Sequence, residues 1–102
     1  MDFLVQITVR LPGDLSAEAR AELLAAEMRR GLELKAAGTI QRIWRVPGAL
    51  RNAAIWRASD ADELHEAIAS LPCFPWFEAT VTPLAQHPVE RAAAERSAGE
   101  DA

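Results

Sequence analysis

The first stretch of the chain alternates apolar and polar residues, and this alternation predicts a β-strand with one buried face. Every second side chain from Phe3 to Leu11 is apolar. Pro12-Gly13-Asp14 ends the strand, and Ser16 is a suitable N-cap, so we expect a long helix over residues 17–37. The core-facing stripe predicted for this helix consists of Ala17, Ala21, Leu24, Ala25, Met28 and Leu32.

A strand hairpin is predicted after this helix. Gly38 fits the residue just past a helix C-terminus, where a positive φ is needed. The strands Ile40–Val46 and Leu50–Arg57 follow, joined by a Pro47-Gly48 turn. Both faces of this hairpin carry apolar groups. A sheet with one layer of helices would leave one of these faces exposed to solvent, so the pattern indicates that a second subunit covers it. In the first of these strands we place Ile40, Trp44 and Val46 on one face and Ile43 on the other.

The second half of the chain repeats the order of a helix followed by a strand. A capping signal at Ser59-Asp60 precedes a short helix that Pro72 ends, and residues 77–82 alternate as a last strand. After Val89 the chain has almost no large apolar residue, so we expect a frayed helix or a disordered tail. The order β-α-β-β-α-β predicts an α+β, ferredoxin-like sandwich. We expect one domain over residues 1–88 and a polar C-terminal tail over residues 89–102.

Charge and composition exclude several classes of partner. The chain has 102 residues and a formal net charge of -4, and its basic residues are spread out, so nucleic acid is not an expected partner. No apolar run approaches the roughly 20 residues of a transmembrane helix, and no signal peptide is recognised. The single cysteine fits a reducing compartment. We therefore expect a cytoplasmic protein that does not act at a membrane.

The chemistry that the residues offer is acid–base chemistry. His65 and His87 lie far apart and Cys73 is the single cysteine, so no metal-ligand spacing is present. No nucleotide-binding or nucleophile motif occurs, so we expect neither a metal nor a cofactor. We interpret Cys73, which lies in an aromatic loop, as a small buried hydrophobe rather than a nucleophile.

Glu27 is the candidate base. It lies on the long helix in an apolar rim, one turn after Leu23 and Leu24, and Gly31 leaves space one turn further on. Desolvation in such a rim would raise its pKa. The alternative is a border glutamate that pairs with Arg30 or another arginine.

An ordered set of short segments resembles a known family. In chain order they are Thr8–Pro12, Glu27, Gly38-Thr39, Trp44-Arg45, Gly48, Asn52, Leu64-His65, Leu71-Pro72, Phe74-Pro75 and His87-Pro88. Together they resemble muconolactone Δ-isomerase over nearly the whole chain to Pro88. The resemblance implies a ferredoxin-like subunit that dimerises through its sheet, in a dimeric α/β-barrel type of assembly, and forms a decamer. It also implies a cofactor-free 1,3 proton transfer that converts (+)-muconolactone, a small anionic lactone, to 3-oxoadipate enol-lactone in catechol degradation.

The resemblance also implies a role for one residue, and chemistry suggests three more. Glu27 stands where the family has its glutamate, so the resemblance implies that it is the catalytic base. We assign Arg45 to the substrate carboxylate or the developing oxyanion, because its planar fork of donors suits either group. Asn52 is assigned to the lactone carbonyl and Trp44 to the wall of the pocket.

Departures from the family pattern bear on the substrate, and two further functions stay open beside the isomerase. The departures occur at positions that we expect near the pocket, so a related lactone is an alternative substrate. Two further functions are a cofactor-free oxygenase on the same type of subunit and a non-catalytic oligomeric protein that binds small acids. The departures are at Leu4, Leu24, Met28, Arg42, Ala53 and Ala54.

Overall fold

The fold is a four-stranded antiparallel sheet with two helices packed on one face and a C-terminal helix that buries none of its described side chains. The computed structural model describes residues 1–101, with side chains described through residue 99. Its elements are β1 (Asp2–Val9), α1 (Ala17–Ala36), β2 (Ile40–Val46), β3 (Arg51–Arg57), α2 (Ala61–Ala69), a 3₁₀ turn (Phe74–Trp76), β4 (Phe77–Leu84) and α3 (Pro88–Asp101). The strand order is β2-β3-β1-β4, with all neighbouring strands antiparallel. The predicted ferredoxin-like sandwich is confirmed.

The core fills the space between the helices and one face of the sheet. Phe3 and Val5 of β1 lie opposite Trp56 and Ala54 of β3, so one apolar face continues across both strands. Each large apolar side chain buried here stabilises the fold by about 1.5–3 kcal/mol. The helices contribute Leu34, Leu64 and Ile68 to the same cluster.

The predicted caps and glycine turns are confirmed. The Ser16 hydroxyl accepts a 3.0 Å hydrogen bond from the Ala19 N–H and begins α1. Asp60 caps α2 in the same way, because its Oδ1 accepts a 2.8 Å hydrogen bond from the Glu63 N–H. Gly38 has φ 81°, which lets the chain leave α1 and enter β2 at once.

The side of α1 that faces the sheet is not the predicted stripe. Met28 and Leu32 are 65% and 61% exposed, and only Leu24 of the predicted set is partly buried. The row that packs inward runs through Leu23 and Leu34 instead. The alanine-rich helix has two apolar rows, and their spacing does not determine which row meets the sheet. The exposed members of the predicted stripe also include Ala17, Ala21 and Ala25.

The faces of β2 also differ from the prediction, because the strand is irregular. The pairing with β3 shifts between Ile40 and Arg42. The additional residue places Ile40 and Ile43 on the same face, opposite the core residues of β3. Trp44 lies on the other face, away from the helices. The prediction that Ile40 and Trp44 share a face is therefore wrong.

The C-terminal segment forms a helix that buries none of its described side chains. Residues 88–99 of α3 are all exposed, and Val89 is 66% exposed. The sequence predicts a frayed helix or a disordered tail after Val89; the structure has a helix there, and the division into a domain and a tail stays a prediction. Residue 102, the end of the predicted tail, lies outside the described residues. No helix within residues 1–101 is long and apolar enough to cross a membrane.

Candidate active site

Glu27 lies on the sheet-facing side of α1 and is fixed by one hydrogen bond. It is partly buried, and its Oε1 accepts a 2.9 Å hydrogen bond from the backbone N–H of Cys73, in the turn before β4. One helical turn further on is Gly31, where an added Cβ would meet no heavy atom within 4 Å. The carboxylate is therefore held at one oxygen, and there is free volume beside the next turn of its helix.

The environment of Glu27 favours the protonated form. Burial raises the pKa of Glu27 above its ordinary value of 4.5, and the hydrogen bond from the Cys73 N–H offsets part of that rise. A carboxylate of this kind is a stronger base than an exposed glutamate, and it retains a captured proton for longer. Both properties suit a group that takes a proton from one carbon and returns it to another.

The alternative in which Glu27 pairs with Arg30 is wrong. The Nε of Arg30 donates a 2.9 Å hydrogen bond to the Ser70 hydroxyl, and Nη1 pairs with Glu33 at 2.9 Å. Among the side chains described, through residue 99, no ion pair includes Glu27. A cation therefore does not stabilise the charged carboxylate within one protomer.

Arg45 and Asn52 are neighbours on the helix-facing side of the sheet. They lie directly opposite each other on β2 and β3, and Asn52 is also opposite the buried Ile7 of β1. Arg45 is exposed, and its guanidinium makes only a long 3.3 Å hydrogen bond to the Arg51 carbonyl. The structure thus brings these two predicted residues together on the side of the sheet where Glu27 lies. Neither of them hydrogen-bonds Glu27 within the part of the chain that has described side chains.

The amide of Asn52 has an unsatisfied atom. Its Oδ1 is buried and has no hydrogen-bond partner among the described residues. A buried polar atom without a partner costs about 1–3 kcal/mol, so such groups are uncommon unless a ligand or neighbouring chain completes them. Because the oxygen and nitrogen of an amide can be exchanged by rotation, the same position can present a donor. Asn52 thus has hydrogen-bonding capacity that the described part of this protomer leaves unused.

Trp44 does not share the side of the sheet that Glu27 faces. It is 46% exposed on the open face, and the Arg42 guanidinium stacks 4.9 Å above its ring centroid. The bulge in β2 is the physical reason, because it reverses the direction that the sequence pattern gives to this side chain. Within one protomer Trp44 therefore does not wall the Glu27 site. Such a role would require the Trp44 of a neighbouring copy.

The departures from the family pattern are divided between the two sides of the sheet. Leu4 and Ala53 lie opposite Ile55 and Gln6 on the open face, which Arg42 shares. These three positions therefore lie on the side of the sheet opposite Glu27, and their place near the pocket stays a prediction. The other departures lie on the helix side, with Ala54 in the core and Leu24 and Met28 on α1.

Cys73 is the site residue that the sequence pattern did not identify. It is fully buried, and it reaches Glu27 only because the fold joins two positions that are 46 residues apart. Burial, and then the charge of Glu27, raise the pKa of the thiol to about 11. The thiol therefore stays protonated at neutral pH, in agreement with the interpretation that it is not a nucleophile.

Metal-binding groups and surface clefts do not add residues to this site. Within the described residues, no group of three or more His, Cys, Asp or Glu side chains is placed to hold a metal ion. Two clefts of about 360 Å³ each lie elsewhere, one beside Gly38 and Arg57 and the other along α3. Glu27 lines neither of these clefts.

Comparison with known proteins identifies the family. The family model described as muconolactone delta-isomerase matches residues 1–90. The muconolactone Δ-isomerase of Rhodococcus opacus is 38% identical over 85 residues, covering 83% of this chain and 91% of the relative. That of Cupriavidus pinatubonensis is 38% identical over 88 residues, covering 86% and 96%. A crystal structure of muconolactone isomerase matches with a TM-score of 0.80 at 32% identity, covering 86% of this chain and 92% of the other. These matches include the helix that carries Glu27 and the hairpin that carries Arg45 and Asn52, and they confirm the resemblance: the chain belongs to the muconolactone Δ-isomerase family.

Proposed function

We propose that the chain is an isomerase that moves the ring double bond of (+)-muconolactone to give 3-oxoadipate enol-lactone, without a cofactor. One observation carries the chemical part of this proposal. Glu27 is a partly buried carboxylate with a raised pKa, and its hydrogen-bond partner is a backbone N–H and not a cation. The substrate follows from the activity that the names of the relatives state.

The reaction is a 1,3 proton transfer in two steps. The Glu27 carboxylate takes the proton from C4 of the lactone ring, and the electron pair of the broken C–H bond passes into the conjugated system to form a dienolate. The carboxylic acid of Glu27 then returns a proton to C2, and the double bond remains between C3 and C4. One proton leaves and one returns, so the reaction needs no oxidant and no reductant.

The environment of Glu27 suits both steps. A carboxylate with its ordinary pKa would be a weak base toward a carbon acid, and partial burial raises that pKa. The same burial keeps the neutral acid present long enough to protonate C2. Because no arginine or lysine side chain described through residue 99 pairs with Glu27, a fixed positive charge does not cancel this effect.

Arg45 and Asn52 are proposed to bind the charged and polar parts of the substrate. The Arg45 guanidinium has donors that suit the substrate carboxylate or the developing oxyanion. The Asn52 amide is proposed to donate to the lactone carbonyl, where negative charge grows in the dienolate. Their position on neighbouring strands and the unsatisfied amide atom of Asn52 support these roles.

We also propose a homo-oligomer, with a dimer formed through the open face of the sheet and a decamer as the full assembly. Apolar groups on that face support the dimer, because they include Trp44 and Leu84, which are exposed, and Ile55, which is half-buried, among the residues that the structure describes. Residues 1–88 are proposed as the single domain and residues 89–102 as its tail. A cytoplasmic location stays a prediction.

The test is to incubate the purified chain with (+)-muconolactone and to follow the lactones by ultraviolet absorbance and NMR. We expect the enol-lactone to form, and in deuterium oxide we expect C2 to keep a share of protium that Glu27 carries over from C4. A folded protein that leaves muconolactone unchanged would contradict the proposed substrate. Conversion of a substituted lactone would then favour the related substrate, oxygen consumption would favour an oxygenase, and binding without conversion would favour the small-acid binder.

A further inference from the structure

The turn between α2 and β4 holds Glu27 through a rigid backbone group. Cys73 donates its N–H to Oε1 of Glu27 at 2.9 Å. The carbonyl of Cys73 accepts from the Trp76 N–H at 2.9 Å, and the Leu71 carbonyl accepts from the Phe74 N–H at 3.0 Å. The Cys73 side chain is fully buried. The donor is therefore fixed on both sides by the turn, and it can hold a flexible glutamate side chain in one position.

We propose that Cys73 is a positioning residue for Glu27: its backbone N–H fixes one oxygen of the carboxylate and keeps the buried thiol beside it. This inference rests on the proposed function, in which Glu27 is the base. The bond occupies Oε1 and leaves Oε2 as the oxygen that takes the substrate proton. Holding a catalytic group in its reactive orientation lowers the entropic part of the barrier.

Few other charged groups face Glu27 from the elements around it. On α1, Arg30 is one turn away, but it is bound to Glu33 and to Ser70 at the end of α2. On the sheet, Arg45 lies on the same side without a contact to Glu27. Among the side chains and backbone groups described through residue 99, Cys73 is thus the residue that hydrogen-bonds the carboxylate, and the two groups influence each other.

The mutual influence has a definite direction for each group. The N–H and the thiol of Cys73 both lower the pKa of Glu27, against the larger effect of burial. The negative charge of Glu27 adds to burial in raising the pKa of the thiol to about 11. Removing either group should therefore change the titration of the other.

Titration of the thiol tests this coupling without any substrate. Cys73 is the single cysteine and the chain has no tyrosine, so alkaline thiolate absorbance reports this residue without interference from tyrosinate. In the wild type we expect a thiol pKa of about 11. In Glu27→Gln the thiol should titrate at lower pH, although burial should keep its pKa above the ordinary 9.0. An unchanged thiol pKa in Glu27→Gln would overturn the proposal.

The pH dependence of kcat/KM tests the same coupling from the side of Glu27. Cys73→Ala removes the thiol that lowers the pKa of Glu27. The acid limb of the pH profile of kcat/KM should therefore move to higher pH in this variant. Cys73→Ser restores a donor of similar size and should bring that limb back towards the wild-type position or below it. Equal profiles for the alanine and serine variants would overturn the assignment of the thiol as the group coupled to Glu27, because loss of packing alone affects both. If Cys73→Ala fails to fold, the thiol titration of Glu27→Gln is the measurement that tests the proposal. If the wild type does not isomerise muconolactone, the proposed function fails, while the titration still tests the positioning.

Discussion

Arg30 and Ser70 form a hydrogen bond that takes the nearest arginine on α1 away from Glu27. The Arg30 Nε lies 2.9 Å from the Ser70 hydroxyl and ties the middle of α1 to the end of α2. The same guanidinium also binds Glu33. Because both contacts lead away from Glu27, its carboxylate keeps the properties that burial gives it. This distinguishes a candidate base from a glutamate that serves a structural ion pair.

The stability of the protein should depend on the charge of Glu27. Because the folded-state pKa of Glu27 is raised, its contribution to the free energy of unfolding is present below pH 4.5 and is lost as the pH rises through the folded-state pKa. Glu27→Gln cannot titrate, and its amide oxygen can still accept from the Cys73 N–H. Urea denaturation over this pH range should therefore show the wild type losing stability relative to Glu27→Gln. A wild type that gains relative stability with rising pH would indicate an ion-paired carboxylate.

Replacement of Arg45 should weaken substrate recognition. Arg45→Gln removes a charge-assisted donor, which is worth about 1.5–3 kcal/mol, so kcat/KM for muconolactone should fall roughly 10- to 100-fold. Arg42→Gln is the matched control, because Arg42 stacks on Trp44 on the opposite face of the sheet. Steady-state kinetics should show little change for this control. Equal losses in the two variants would contradict the assignment of Arg45 to the substrate.

Filling the space beside Gly31 with a methyl group should affect the stability of the fold and the binding of substrate separately. Gly31→Ala adds a methyl group that meets no heavy atom within 4 Å of its Cβ position. Alanine in a helix is favoured over glycine, so the free energy of unfolding should rise by about 0.5–1 kcal/mol. If the substrate occupies this space beside Glu27, KM should rise. Gly99→Ala in α3, which also has open space, should leave KM unchanged. An unchanged KM in Gly31→Ala would show that the substrate does not use the space.

The dimer proposed through the open sheet face can be tested on two adjacent residues. Trp44 and Ile43 have similar exposures, 46% and 48%, but they point to opposite faces of β2. Trp44→Glu would bury a charge in the proposed dimer and should dissociate it, whereas Ile43→Glu should leave it intact. Light scattering after size-exclusion chromatography measures the mass of each variant. A dimer that survives Trp44→Glu but not Ile43→Glu would indicate an interface on the helix side.

Local chemistry explains why much of the fold was predictable. The alternation in β1, the cap at Ser16 and the turn at Gly38 each depend on neighbouring residues, and the structure has all three. The family resemblance supplied Glu27, and its apolar rim correctly indicated partial burial and a raised pKa.

The incorrect predictions depend on contacts that neighbouring residues do not determine. α1 has two apolar rows, and the position of the helix on the sheet determines which row is buried. A one-residue shift in β2 reverses the direction of Trp44. The bond between Cys73 and Glu27 spans 46 positions and exists only in the folded chain.

The measurement that most directly tests the central claim is the turnover of (+)-muconolactone by Glu27→Gln beside the wild type. The glutamine retains the shape and the hydrogen bond to Cys73 but cannot accept a proton. We expect kcat to fall by about 10²- to 10⁴-fold or more, the range associated with loss of a general base, with an unchanged far-ultraviolet circular dichroism spectrum. A folded Glu27→Gln variant that turns over muconolactone at the wild-type rate would contradict the assignment of Glu27 as the base.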